Sequence, residues 1–120
     1  MAVSKDFIAY IEELLAPLGT IRTKRMFGAA GVYVDELFFA VIDDDTLYFR
    51  VDDEIEPAFR DAGSAPFLYR SRDGQEMQMS FWRAPAEAMD GPDEAAPWAR
   101  LAIDAALRKK AQKGKKKPKS

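Results

Sequence analysis

Apolar residues recur at helical spacing near the N-terminus and then change to the spacing of short strands. Residues 4–18 place apolar side chains on one stripe, which predicts an amphipathic helix with Ser4 as its N-cap and Gly19 as its stop. After Gly19, β-branched and aromatic residues come in short runs that turn-forming residues separate. These runs are predicted to form an antiparallel meander: Ile21–Met26, Val32–Asp35, Leu37–Ile42 and Thr46–Val51.

The second half of the chain predicts two helices and one hairpin. A short helix is expected near 53–62, and a hairpin over 66–83 turns around Asp73–Gly74. The last helix begins near Asp93, where acidic residues suit the positive end of a helix, and runs towards Lys110. The order α-β4-α-β2-α predicts a two-layer α+β fold in which about six antiparallel strands carry helices on one face.

The predicted helices are too few to cover both faces of such a sheet. Strand parity puts two purely apolar sets of side chains on the helix side. They are Leu47, Phe49 and Val51, and Met77, Met79 and Phe81. Because Leu37–Ile42 is apolar on both parities, it needs cover on both sides. We therefore predict that the opposite face is an interface for a protein partner or for self-association as a homodimer. The predicted interface residues are Tyr33, Phe38, Tyr48, Arg50 and Trp82.

Two further interpretations of this aromatic face stay open. Loops and long side chains could cover it, in which case no partner binds there. Aromatic and arginine side chains on a sheet also form platforms on which RNA bases stack, although the acidic balance of residues 1–107 opposes phosphates.

Charge divides the chain into an acidic part and a cationic C-terminus. The chain has 18 Lys and Arg against 20 Asp and Glu, and eight of the cations lie in 108–120, which has no acid. We expect 1–107 to form the domain and 108–120 to be a basic tail, which is disordered over 111–120. As an alternative function, the tail would bind nucleic acid through phosphate contacts. The residues for these contacts are Arg108, Lys109, Lys110, Lys113, Lys115, Lys116, Lys117 and Lys119.

Cysteine and histidine do not occur in the sequence. Their absence excludes a thiol nucleophile, a disulfide framework, an imidazole base and zinc sites built from those ligands. Asp43–Asp45 and Asp52–Glu54 are interpreted as a turn and a helix start, and Gly28–Gly31 as a turn that needs positive φ. We therefore expect no enzyme activity, no metal and no cofactor. With no apolar run long enough for a bilayer and no signal sequence visible, we expect a cytoplasmic protein without a membrane partner.

Several sequence blocks, taken in order, resemble the TfoX/Sxy N-terminal domain family. The first is the glycine-rich block Arg25–Tyr33, in which Ala29 replaces a glycine that is usual in the family. The others are Phe39–Asp43, Leu47–Asp52, Ala62–Tyr69, Met79–Pro85 and Trp98–Arg100. Together they cover roughly residues 5–107.

The resemblance implies a regulatory domain without catalysis or a cofactor. It implies a two-layer fold similar to secretion chaperones. It also implies a role like that of the named members, which promote expression of competence genes together with the cyclic-AMP receptor protein. Full-length regulators of the family carry a further C-terminal helical domain, whereas this chain has the basic tail, so we expect a stand-alone single-domain member. The expected function is a non-catalytic regulatory or protein-interaction module.

Overall fold

A computed structural model of the protein describes residues 3–26, 28–70 and 76–116. Among these residues, six strands form one antiparallel sheet with helices packed against it, so the predicted α+β fold is confirmed. The strands are β1 Ile21–Met26, β2 Ala29–Val34, β3 Leu37–Asp43, β4 Thr46–Arg50, β5 Pro66–Arg70 and β6 Glu76–Arg83. Their order across the sheet is β1-β2-β3-β4-β6-β5. The meander of β1 to β4 therefore joins the later hairpin through the pairing of β4 with β6. The predicted turn of that hairpin, at Asp73–Gly74, lies outside the described residues.

The helices lie close to where the apolar spacing predicts them. They are α1 Lys5–Leu15, α2 Glu56–Asp61 and α3 Pro92–Lys116, with 3₁₀ turns at Ala16–Leu18 and Ala86–Met89. Ser4 caps α1 as predicted, because its side-chain oxygen accepts a hydrogen bond from the backbone N–H of Phe7 at 3.1 Å. Gly19 ends this segment with a φ of 147°, and a Cβ atom there would lie 3.0 Å from the Val34 side chain.

Acidic residues form the tight turns on both sides of β3. Asp35 and Glu36 have φ values of 47° and 71°, and Asp44 and Asp45 have φ values of 52° and 53°. Two successive residues with positive φ are typical of the type I′ turn, whose twist matches that of a hairpin. Asp45 also accepts a hydrogen bond from the backbone N–H of the α1 N-cap residue at 2.9 Å. The interpretation of Asp43–Asp45 as a turn is therefore confirmed for Asp44 and Asp45, while Asp43 is the last residue of β3.

The turn between β1 and β2 is shorter than the predicted Gly28–Gly31 turn. Gly28 has a φ of 80°, so the expected positive φ is found there. The prediction of a turn is wrong for Ala29–Gly31, however, because these residues already pair with β1. The pairing brings Ala30 opposite Arg25 and buries the alanine side chain fully in the core.

One hydrophobic core joins the helices to the sheet. Aromatic rings run through it from β3 to α3, with centroid distances of 6.3 Å between Phe39 and Phe49 and 6.4 Å between Phe49 and Phe59. The chain of rings ends at Trp98, 5.0 Å from Phe59. Within the described part of the chain, the helices pack only on the side of the sheet that faces this core. No described helix packs on the opposite face of the sheet.

α3 continues well beyond the predicted end of the domain. It runs past the predicted end near Lys110 to Lys116, so the expected disorder is wrong for residues 111–116. Alanine, lysine, arginine and glutamine have high helix propensity, and cations are favourable near the negative end of a helix. A helix that packing has already nucleated therefore continues without an apolar stripe. Residues 117–120 lie outside the described residues.

Candidate interaction surface

The strand register defines which side chains point away from the helices. Residues directly opposite each other on neighbouring strands share a face, as Tyr33 and Phe38 do, and likewise Val41 and Tyr48. We call the side that faces away from the helices the open face. Its described side chains are Arg22, Lys24, Tyr33, Phe38, Val41, Asp43, Thr46, Tyr48, Arg50, Phe67, Phe81 and Arg83.

The prediction that Trp82 belongs to the open face is wrong. Trp82 lies opposite Phe49 and shares its side of the sheet, where it is part of the core and 5% exposed. The guanidinium of Arg60 on α2 covers its ring at 5.5 Å. The residue that β6 gives to the open face is instead Phe81, which lies opposite Arg50. The error arose because the apolar alternate set of β6 was assigned to the helix side, whereas the register sets Phe81 beneath Arg50.

A β-bulge in β3 explains how a strand apolar on both parities fits a sheet covered on one side. The register shifts between Val32 and Tyr33, so that Ala40 lies opposite Val32 while Phe38 lies opposite Tyr33. Phe39 is the extra residue, and both Phe39 and Ala40 are fully buried on the helix side. The open face of Leu37–Ile42 therefore needs less cover than alternation predicts, because Phe39 and Ala40 both lie on the helix side.

The open face carries a connected layer of aromatic rings. Tyr33 stacks on Phe38 at 5.1 Å, Phe38 contacts Phe81 at 5.5 Å, and Tyr48 contacts Phe67 at 4.6 Å. Phe81 is 6% exposed, while the other four rings are half-buried. The structure thus brings together the predicted residues Tyr33, Phe38, Tyr48 and Arg50, and adds Phe67 and Phe81.

Arg50 is fixed at the centre of this layer. Its guanidinium carbon lies 5.3 Å from the centre of the Phe38 ring and 4.7 Å from that of Phe81. Its Nε donates a hydrogen bond to the Phe38 carbonyl at 3.3 Å. Burial lowers the pKa of the Arg50 guanidinium, and no carboxylate pairs with it among the described residues. The rings hold a planar cation whose remaining N–H groups are donors for an acceptor.

Basic side chains accompany the aromatic layer on both flanks. Arg22 and Lys24 alternate on β1, and Arg83 lies on β6. Arg22 forms an ion pair with Glu36 in the β2–β3 turn, where both side chains are largely exposed. These flanking cations are absent from the predicted interface. The alternation of Arg22 and Lys24 was visible in the sequence, whereas placing Arg83 needed the β4–β6 register.

A cleft lies where β4 passes into α2. Its volume is about 360 Å³, and its lining includes Arg50, Asp52, Ser80 and Arg108. Arg108 holds Asp52 in a two-pronged contact, with its Nε 2.7 Å from Oδ2 and its Nη2 3.0 Å from Oδ1. The same Nε lies 3.3 Å from Glu54. The Arg108 hydrogen bond lowers the pKa of Asp52, and the same hydrogen bond raises the pKa of Arg108.

This ion pair changes the picture of the predicted phosphate contacts. Arg108 is engaged in holding α3 against the segment before α2, while Lys109 and Lys110 are exposed on the helix. Three further predicted residues lie in the last turns of α3: Lys113, Lys115 and Lys116. Lys117 and Lys119 lie outside the described residues.

In residues 3–26, 28–70 and 76–116, no group of three or more acidic side chains is placed to hold a metal ion. Over those same ranges, no helix combines the length and the apolar character needed to cross a membrane.

Comparison with known families places the chain. The model of the TfoX N-terminal domain matches residues 13–106, which is most of the sequence. The chain belongs to the TfoX N-terminal domain family. The match includes every strand of the sheet, so the open face is part of the TfoX N-terminal domain and not an addition to it. No curated protein matches the chain in a sequence comparison.

Proposed function

We propose that this TfoX N-terminal domain is a non-catalytic regulatory module of the cytoplasm, resembling the competence regulators, that binds a protein partner through its open face. The observation that carries the proposal is the connected layer of half-buried aromatic rings on a side of the sheet where no described helix packs. Contiguous apolar surface of this kind marks interaction sites in soluble proteins.

The residue types of the layer support binding rather than chemistry. Aromatic and arginine side chains dominate the binding energy of protein interfaces, and Tyr33, Tyr48 and Arg50 each combine an apolar body with a polar end. The cysteine-free and histidine-free sequence lacks the side chains that most often act as nucleophile or general base near neutral pH. A binding role requires neither.

The proposal is tested by removing two half-buried rings from the open face. In Tyr33→Ala combined with Tyr48→Ala, we expect the circular dichroism spectrum to be kept and capture of the partner to fall at least tenfold, since an interface aromatic typically contributes about 2 kcal/mol. Tyr10→Ala is the matched control, because Tyr10 is a 39% exposed tyrosine on α1. Unchanged capture by the folded double variant would contradict the proposal.

Nucleic-acid association through the C-terminal cations is the second candidate function. It is favoured by one observation, the exposure of Lys109 and Lys110 at the start of the cationic last turns of α3. Lysine and arginine clusters bind the phosphate backbone without reading sequence. Removal of these cations by truncation, with retention on heparin as the readout, separates this candidate from the first.

A further inference from the structure

The open face is the cationic side of an otherwise acidic domain. Residues 1–107 contain 10 basic and 20 acidic side chains. Four of the basic ones lie on the open face: Arg22, Lys24, Arg50 and Arg83. Among the described side chains of that face, Asp43 is the single acid. This charge separation favours a partner that presents carboxylates or another anion.

Acidic turns lie at both ends of the strands that carry the open face. One end carries Asp35–Glu36 and the loop Asp52–Glu54, and the other carries Asp43–Asp45. Of the strands that carry the open face, β3 has seven residues and β4 has five, which corresponds to a length of roughly 20 Å. A polyanion that ran along the strands past either end would meet these acids. The acids therefore confine an anionic partner to the middle of the face, where the apolar rings suit the side chains of a protein segment.

The same arrangement disfavours a second copy of this chain. The cations lie on both flanks, with Lys24 on β1 and Arg83 on β6, and the acids lie at both ends. A two-fold contact of the face with itself whose axis runs along or across the strands would therefore set cations opposite cations and acids opposite acids. Like charges that face each other across an interface weaken it.

We infer that the open face takes a short acidic segment of another protein. This inference rests on the proposed function and names the chemistry of the partner. Carboxylates of the segment would meet Lys24 and Arg83 on the flanks and the remaining N–H groups of Arg50 at the centre. An apolar or aromatic side chain between the carboxylates would lie on the layer that Tyr33, Phe38 and Tyr48 form.

The test uses the full chain and defined probes. The first probe is a fluorescent peptide of about twelve residues in which glutamates alternate with leucine and tryptophan, and the second replaces each glutamate by lysine. The third and fourth are oligo-dT and oligo-rU of similar length. By fluorescence anisotropy at about 50 mM salt, we expect the acidic peptide to bind with a Kd below ~100 μM. The lysine peptide should bind at least tenfold more weakly, and both oligonucleotides more weakly than the acidic peptide.

Charge reversal on the face identifies the binding surface. Lys24→Glu combined with Arg83→Glu should weaken the acidic peptide at least tenfold. Lys5→Glu combined with Arg100→Glu is the matched control, because it makes the same change in net charge at exposed positions of α1 and α3. The control should stay within about twofold of the unchanged protein. If the reversed pair does not fold, Lys24→Gln with Arg83→Gln replaces it, with an expected loss of about threefold or more.

Each contrary result overturns the inference in a distinct way. Absence of peptide binding, or equal losses in the two double variants, means that the face does not select acidic segments. Oligonucleotides that bind more tightly than the peptide, and that lose affinity when Lys24 and Arg83 are reversed, make the face a nucleic-acid surface. If the charge variants capture the natural partner normally while Tyr33→Ala with Tyr48→Ala does not, the proposed function stands and the acidic partner is wrong.

Discussion

At the scale of single residues, Trp82 and Tyr48 lie on opposite faces of the sheet, although they belong to neighbouring pairs of β4 and β6. Trp82 is buried against Phe49, and Tyr48 is half-buried on the open face. Trp82→Ala leaves a large cavity and is expected to lower the free energy of unfolding by about 3–5 kcal/mol. Tyr48→Ala should lower it by about 1 kcal/mol because solvent reaches the site. Urea unfolding of both variants measures the difference, and equal losses would contradict the assignment of faces.

We expect Arg50 to contribute more to binding than to the stability of the fold. Its stacking on Phe38 and Phe81 and its hydrogen bond to a carbonyl offset the desolvation that lowers the pKa of its guanidinium. Arg50→Met keeps the length of the side chain and removes the charge. We expect the free energy of unfolding to change by less than about 1 kcal/mol, while partner capture falls at least tenfold. A loss of stability well above that value, with binding kept, would make Arg50 a structural residue.

Residue alternation predicted part of this site and failed at an instructive point. Tyr33, Tyr48 and Arg50 were assigned to the correct face because their strands have one clearly apolar parity. In β6 both parities carry a large apolar residue, Phe81 and Trp82, so alternation alone does not choose between them. Where both faces of a strand carry apolar residues, only its register with the neighbouring strand shows which residue faces the helices.

At the scale of elements, the ion pair between Arg108 and Asp52 fastens α3 to the start of α2. Asp52→Asn keeps the hydrogen bonds that this side chain accepts from the backbone of Glu54 and Ile55 and removes the charge. The pKa of Asp52 is lowered in the folded protein, so its contribution is present above the unfolded pKa of about 4 and is lost as the pH falls through the folded pKa. We expect Asp52→Asn to cost about 1 kcal/mol near pH 7.

The pH dependence of that cost separates charge from packing. The difference between the unchanged protein and Asp52→Asn should shrink below about pH 4 and vanish once Asp52 is protonated in both states. Thermal or urea unfolding at several pH values measures it. A difference that stays constant down to about pH 2 would show that the loss comes from the altered cap and not from the ion pair.

Element boundaries were largely predictable, whereas irregularities between elements were not. The helical stripe with Ser4 and the acidic turn at Asp43–Asp45 are local signals, and both predicted their elements. The bulge that turns Phe39 and Ala40 to the same side depends on the partner strand, which a single run of residues does not reveal. The extension of α3 to Lys116 likewise depends on a helix nucleated by packing upstream.

At the scale of the whole molecule, acidic and basic side chains occupy different surfaces of the domain. Acids occupy the turns and helices, and cations are concentrated on the open face and at the end of α3. An acidic partner would be drawn to the open face and repelled from most other surfaces, so its association rate should fall as salt rises. The separate totals for residues 1–107 and 108–120 were readable from the sequence. The position of the cations on one face needed the register of β1 and β6.

Two truncations distinguish the two cationic surfaces of the molecule. A chain that ends after Gln112 loses five cations but keeps Arg108 and its ion pair with Asp52. It should melt within about 2 °C of the full chain, because the removed turns contribute no described core residue. A chain that ends after Leu107 also loses the ion pair, and should melt about 4 °C lower.

If the C-terminal cations bind polyanions, retention on heparin falls sharply already in the first truncation. Full retention by both truncated chains would contradict the nucleic-acid role of the C-terminus and would move polyanion binding to the cations of the open face. Lys24→Glu with Arg83→Glu in the chain that ends after Leu107 would then abolish it.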